Sequence, residues 1–278
     1  MKIGFIDYYL DEWHANNYPE LISTASNGAH TISCAYAHSE PPAEMNLRSN
    51  AQWSADYGIE LVDSIEEVIE RSDCLIVLSP DNPEMHEFLC QLPLASGKPT
   101  YIDKTFAPDY ATAKRIFDIA EASGTPCYST SALRFADEYK TIDRSTVTAI
   151  TSVGPLGFET YAIHQLEPIV MLMNEKVKRV MYIPGDKWYS AVLEFVDGRV
   201  ATLAGFMDGA PFQMNIASSA GNKTITVESN FFHNFIVELV DFFMNGTDKV
   251  PHQETLTIMA VRGAVLKAHE TPNVWVEL

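Results

Sequence analysis

Positive charge is scarce in this chain: 19 Lys and Arg stand against 37 Asp and Glu in 278 residues, a formal net charge of -18. The mean field repels polyanions, which argues against nucleic acid or an anionic membrane as partner. The plainest meaning of such a charge is solubility. Cysteine is scarcer still. Cys34, Cys74, Cys90 and Cys127 show no C-x-x-C spacing; three fall in predicted strands and Cys90 in a predicted helix, so buried inert thiols in a reducing, cytoplasmic compartment are expected. No apolar run approaches the roughly 20 residues that span a bilayer. The chain starts directly with a predicted strand, Lys2 to Ile6, with no visible signal peptide. Repeats and low-complexity tracts are absent too. The rest is ordinary for a soluble globular protein, with 46% hydrophobic and 20% charged residues, and the length suits one large or two modest domains.

The most informative stretch runs from Ser64 to Phe135. Ser64-Ile65-Glu66-Glu67 is a capping-box pattern opening a short helix that ends near Ser72. Cys74 to Leu78 is a continuous apolar run of strand length, as expected of a strand covered on both faces. Asn82-Pro83 starts a helix that lasts to Ser96, where Gly97 can take the left-handed stop. Thr100-Tyr101-Ile102 is the next strand and delivers Asp103-Lys104-Thr105 to its carboxyl end. A helix carrying Ala113, Ile116, Phe117 and Ala120 on one face follows, Gly124 ends it, and Cys127 to Thr130 is a strand again. Alternation of this kind predicts parallel strands with right-handed crossovers, whose carboxyl ends carry the chemistry.

Asp73-Cys-Leu-Ile-Val-Leu-Ser-Pro80, His86, Ala95-Ser-Gly-Lys98, Asp103-Lys104-Thr105 and Ser131-Ala-Leu-Arg134-Phe135 together resemble the Gfo/Idh/MocA family of glucose-fructose oxidoreductase and inositol dehydrogenase. That family reads D-x-V-x-I-x-T-P, a histidine, A-x-x-x-G-K, E-K-P and R-F in the same order. The resemblance covers nearly the whole chain. It implies an N-terminal Rossmann-like doubly wound parallel sheet over residues 1–135. It also implies an α+β C-terminal domain over 136–278 with a large, mostly antiparallel open sheet, and a homo-oligomer formed through that sheet.

The first loop departs from the pattern. A dinucleotide fold places G-x-G-x-x-G after the first strand, for a tight turn, close approach of the pyrophosphate and helix packing. This chain reads Asp7-Tyr8-Tyr9-Leu10-Asp11-Glu12. Two like charges about 4 Å apart repel by roughly 4 kcal/mol at an effective dielectric near 20, enough to remove about half of a micromolar affinity of about 8 kcal/mol. With Pro19 in a first helical turn, the loop would run from Asp7 to Tyr18, too long to aim a helix dipole at a phosphate. The second strand, Thr31 to Ala37, lacks the acid that holds the adenosine ribose, and Glu40 is a displaced substitute. Asp7, Asp11, Glu12 and His14 suit a divalent cation by type but not by spacing; a solvated acidic loop is expected and no metal is assigned. Tyr8, Tyr9, Trp13 and Tyr18 are expected to pack over the sheet edge rather than stack on a sugar or base.

From Thr146 onward the β segments lengthen. Asp197-Gly198 is a two-residue hairpin signal between Trp188–Val196 and Arg199–Phe206. Ala220-Gly221-Asn222 joins two further strands, and helices are expected near Phe231–Met244 and Gln253–Ala268. Tyr161-Ala-Ile-His164-Gln-Leu-Glu167-Pro168 matches the family's D-x-G-x-H-x-x-D in its histidine and last acid, with Thr160 replacing the first aspartate beside Glu159. Pro168 cannot donate to the carbonyl of His164, so a kink is expected.

The resemblance implies Lys104, His164 and the Thr160 position as catalytic residues. In such a site the histidine deprotonates a substrate hydroxyl and the lysine polarises its oxygen. It implies Asp7, Tyr9, Ser79, Pro80, His86 and Asp103 as cofactor contacts, and Arg134 and Glu167 as substrate contacts. His86 alone reads equally as a helix-surface residue. Two function classes are open. One is an oxidoreductase transferring hydride between NAD or NADP and a sugar, cyclitol or related polyol, with atypical cofactor binding. The other is a non-redox descendant that binds a small ligand or partner protein and has lost the dinucleotide.

Overall fold

The computed structural model describes all residues, Met1–Leu278, and by internal contact the chain forms two units: Met1–Thr130 with Ile236–Pro251, and Ser131–Phe235 with His252–Leu278. The first break falls at Thr130, before the turn Ala132–Phe135, and the chain returns to the first unit late. The sequence predicts a single break after Phe135. The second crossing depends on tertiary packing of one helix and has no signal in local composition.

The first unit contains β1 (Lys2–Asp7), α1 (Trp13–Ala25), β2 (Thr31–Ala37), α2 (Asn50–Tyr57), β3 (Glu60–Leu61), α3 (Ile65–Arg71), β4 (Cys74–Val77), α4 (His86–Ala95), β5 (Thr100–Ile102), α5 (Tyr110–Ser123) and β6 (Cys127–Tyr128). Its six strands are all parallel in the order β3-β2-β1-β4-β5-β6, the doubly wound arrangement. Every residue of β4 is buried, as its unbroken apolar run requires. Gly4 in β1 lets α3 approach: a Cβ there would lie 2.3 Å from Val68 Cγ1 and 2.5 Å from Ser72 Oγ. The caps follow the sequence. Ser49 and Gln52 form a capping box on α2, Asp109 accepts from Thr112 N at 2.8 Å, and Gly58, Gly97 and Gly124 adopt positive φ at helix ends.

α1 begins at Trp13, six residues before Pro19, which sits inside the helix. The long loop from Asp7 to Tyr18 is therefore not formed. Glu12 supplies the N-cap, and Pro19 is carried inside the helix, which gives up its N–H bond there and must accommodate the ring against the Ala15 carbonyl.

The second unit contains α6 (Asp137–Lys140), β7 (Val147–Pro155), α7 (Phe158–Tyr161), α8 (Ile163–Met173), β8 (Val177–Pro184), β9 (Trp188–Phe195), β10 (Val200–Phe206), β11 (Gln213–Ser218) and β12 (Lys223–Thr226). α10 (His252–Glu270) and β13 (Trp275–Glu277) complete it, while α9 (Phe231–Asn245) passes from one unit into the other at Phe235. Its seven strands run β12-β11-β7-β10-β9-β8-β13, antiparallel except for the parallel pair β7 and β10. The Asp197-Gly198 hairpin joins β9 to β10, with Gly198 at φ 85°. α8 packs on β7 and α10 on β8. Gln165 fastens α8 to the sheet: its side chain accepts from Ser152 Oγ at 2.8 Å and donates to the Ala204 carbonyl at 3.2 Å. α8 runs through Pro168 without interruption. No helix is long and apolar enough to cross a membrane, and all four cysteines are buried free thiols.

Candidate functional site

In the first unit, the carboxyl ends of β1, β4 and β5 gather charge. Asp7 closes β1 and is 1% exposed. Its Oδ1 accepts from Tyr8 N at 2.6 Å, and the nearby backbone of Ser79, turned to φ 77°, pulls the carboxyl pKa down in part. Its Oδ2 is buried with no hydrogen-bond partner. Burial first, and the neighbouring Glu12 second, hold the Asp7 carboxyl well above its ordinary range.

Glu12 caps α1. Its carboxylate accepts from His14 N at 2.7 Å and from Ala15 N. Glutamate is not among the favoured N-cap residues, and the cap also pulls His14 into the group. His14 Nδ1 lies 3.0 Å from Glu12 Oε2 and 3.4 Å from Asp103 Oδ2. Burial pulls the His14 pKa down, but Asp103 and Glu12 outweigh burial, and the half-buried Lys104 does not reverse them; the net direction is up. Tyr101 donates to Asp103 Oδ1 at 3.1 Å.

The solvated acidic loop expected from the sequence is thus a buried, hydrogen-bonded turn. Asp11, Glu12 and His14 are each 9% exposed, and Arg48 Nη2 pairs with Asp11 Oδ1 at 2.7 Å. The reason is that each acid finds a donor: a guanidinium for Asp11, a helix N-terminus for Glu12. No group of three or more His, Cys, Asp or Glu side chains is arranged to hold a metal ion. Tyr9 and Tyr18 are buried in packing, while Trp13 is exposed.

Asp7, Tyr9, Ser79 and Pro80 line one crevice together with Glu12 and Asp81, too narrow to admit a water-sized sphere. His86 lies apart from it, wholly buried. Its Nδ1 is 3.0 Å from the Phe106 carbonyl and its Nε2 contacts the Leu78 carbonyl, so it ties the end of β4 to the segment after Lys104. Burial pushes its pKa down against those two acceptors. Neither the surface nor the cleft position expected for it is found. Beyond β2, Glu40 accepts from Asn50 N at 3.0 Å at the start of α2, beside a pocket of about 280 Å³ lined by Tyr36, His38, Asn50 and Asp63.

In the second unit, α8 presents two residues one turn apart to the turn Ala132–Phe135. His164 Nδ1 lies 2.6 Å from Ser131 Oγ, and the Glu167 carboxylate accepts from the backbone N–H of Ser131. Arg134 Nη1 sits 3.5 Å from Glu167 Oε2 and 2.6 Å from Glu254 Oε2. Burial pushes Glu167 up to about 7, against the Arg134 charge that pulls it down. Tyr161 stands edge-on to His164 at 4.8 Å and parallel to Phe212 at 6.4 Å, an aromatic flank that suits the apolar face of a sugar ring. Thr160 is exposed on α7 beside exposed Glu159. The structure therefore joins Arg134, His164 and Glu167 within the second unit, and Asp7 and Asp103 with Lys104 and His14 within the first. Ser131 and Glu254 carried no sequence signal as site residues, apart from Ser131 standing in an N-cap position before Leu133, whose N–H it accepts at 3.2 Å.

No protein-family model matches the sequence, and no curated protein matches it. Solved structures do match along the whole chain. A probable dehydrogenase from Thermotoga maritima aligns with TM-score 0.80 at 12% identity, covering 100% of this chain and 98% of that one. The myo-inositol dehydrogenase of Lactobacillus casei, in complex with NAD(H) and myo-inositol, aligns with TM-score 0.82 at 11% identity over 100% and 96%. The scyllo-inositol dehydrogenase of the same organism, with NAD(H) and scyllo-inositol, gives 0.77 at 16% over 99% and 98%. This chain has the fold of the Gfo/Idh/MocA dehydrogenases.

The residues at the first βα turn do not fit a dinucleotide diphosphate. Such a group needs the free amides of a helix N-terminus, and here the amides of His14 and Ala15 already bind Glu12. Asp7, Glu12 and Asp81 line the space beside them, and their charge opposes an anion. At the ribose end, Glu40 is engaged by α2.

Proposed function

We propose that this protein is a non-redox descendant of the dehydrogenase fold that binds a small polyol or carbohydrate-like ligand and exchanges protons with it. The observation that carries this reading is the Glu12 carboxylate seated on the α1 N-terminus, where the diphosphate of a nicotinamide cofactor would have to bind. What supports a hydroxylated ligand is the pairing of proton-exchanging and charged groups, His164 with Arg134 and Glu167, beside the Tyr161 and Phe212 rings. The inositol complexes of the structural neighbours point to the same ligand class. Lys104 and Asp103 form a separate charged group within the first unit, and Thr160 has no assigned partner in this scheme. A cytoplasmic homo-oligomer built through the second unit's sheet completes the proposal.

A second reading has its own support. Lys104 and His164 are both kept, and together they match the catalytic pattern of polyol dehydrogenases, so hydride transfer with NAD or NADP held in an atypical way is the rival. Calorimetric titration with NADH and NADPH to millimolar concentration, alongside myo-inositol and scyllo-inositol, separates the two. The non-redox reading expects heat from a polyol and none from either nucleotide; micromolar nucleotide binding establishes the rival. Once a turnover assay exists, Lys104→Ala and His164→Ala should each lower the rate by about 10²-fold. Unchanged rates in either variant would remove that residue from the mechanism.

A further inference from the structure

Ser131 is wholly buried, and α8 grips it twice. Glu167 accepts from its backbone N–H, and His164, three residues earlier on the same helix, places Nδ1 2.6 Å from its hydroxyl. Residues three apart lie on one helical face, so a single face of α8 holds both polar groups of one serine. The Ser131 Oγ already accepts from Leu133 N at 3.2 Å. A buried hydroxyl must still place its own proton. Nδ1 of a neutral imidazole is an acceptor at hydrogen-bond distance, and donation to it satisfies hydroxyl, amide and ring together.

We propose that Ser131 is a positioning residue that donates to Nδ1 of His164 and so holds the neutral ring as its Nε2–H tautomer. His164 then meets a ligand as a hydrogen-bond donor, not as the base that the dehydrogenase pattern implies. A ring whose neutral form already carries its proton on Nε2 cannot accept one there; it donates a hydrogen bond from Nε2 to a ligand oxygen. The inference deepens the proposed function, resting on His164 as a ligand-facing residue, but its test does not require the ligand.

The experiment is nitrogen-15 NMR of the full-length protein labelled at histidine, with His164 assigned by loss of its signals in His164→Gln. Near neutral pH the wild type should show a protonated Nε2 and an unprotonated, hydrogen-bonded Nδ1. In Ser131→Ala the neutral ring loses its donor, so the His164 midpoint should rise, by about half to one pH unit for a net hydrogen bond of ordinary strength. Ser131→Thr should restore it. Arg134 from the turn, Glu167 from α8, Glu254 from α10 and Tyr161 from α7 surround this region and are unchanged in both variants. A lowered midpoint would mean that Ser131 accepts from the imidazolium, and the proposal would be wrong. An Nδ1–H tautomer in the wild type overturns it directly, even if Ser131→Ala does not fold. Should NADH bind after all, the non-redox reading fails while the tautomer assignment stands or falls on its own spectrum.

Discussion

Each unit buries carboxylates beside a cation, but they resolve the charge differently. In the first, Glu12 is satisfied by two backbone amides and by His14, leaving Asp7 crowded by a like charge. In the second, one guanidinium, Arg134, serves both Glu167 and Glu254, and neither glutamate is a helix cap. A carboxylate on a helix terminus closes the site it occupies, because it consumes the donors that a ligand would need. In the second unit burial outweighs the guanidinium, so that Glu167, pushed into the neutral range against the Arg134 charge, remains tied to a proton equilibrium. The first arrangement stabilises; the second is suited to exchange protons.

The largest effect should come from removing the shared cation. Arg134→Met leaves the buried Glu167 with the Ser131 amide but no cation, and Glu254 with only the Arg144 guanidinium 4.0 Å away, and loss of about 3–5 kcal/mol of stability is expected by denaturant unfolding. A loss below about 1 kcal/mol would mean that both acids are already protonated or reach water, and the contrast between the units would collapse.

Next comes pH. A carboxyl whose folded pKa is raised from 4.5 to about 7 binds its proton more tightly when folded, so its contribution is full below the unfolded value and is lost as pH rises from about 4.5 to 7. The whole swing is about 3 kcal/mol. Asp7 and His14, also raised, act in the same direction, each over its own range: Asp7 from above about 4, His14 from above about 6.5. Unfolding free energy should therefore fall between pH 5 and 8, and Glu167→Gln should flatten that fall. An unaltered slope in Glu167→Gln would assign the titration elsewhere. Smaller again is the cap: Glu12→Ala should cost about 1 kcal/mol, less any relief of repulsion with Asp7, measured by thermal unfolding. A stabilised variant would mean that the repulsion outweighs the cap.

Much of this architecture is legible in the sequence because it is local. The apolar run of β4, the Ser64 cap of α3, the glycines that end α4 and α5 and the Asp197-Gly198 hairpin each depend on a few adjacent residues. The parallel order of the first sheet follows from their alternation. The carboxylate cap of α1 was not legible, since Glu12 is a poor statistical N-cap and Pro19 drew the helix start to itself. Nor was the pairing of Ser131 with His164, 33 positions apart, which only the packing of α8 on the turn after Thr130 creates. The same holds for Glu254, which lies beyond the excursion of α9 into the first unit.

The central claim is that Glu12 stands in for the diphosphate of a cofactor. Its most direct test is calorimetric titration of NADH into the wild type and into Glu12→Gly in parallel, extended by glycine at positions 7 and 9. No binding by the wild type, with binding appearing and strengthening by at least about tenfold as the carboxylates are removed, is the predicted result. Micromolar binding to the wild type would contradict the account outright.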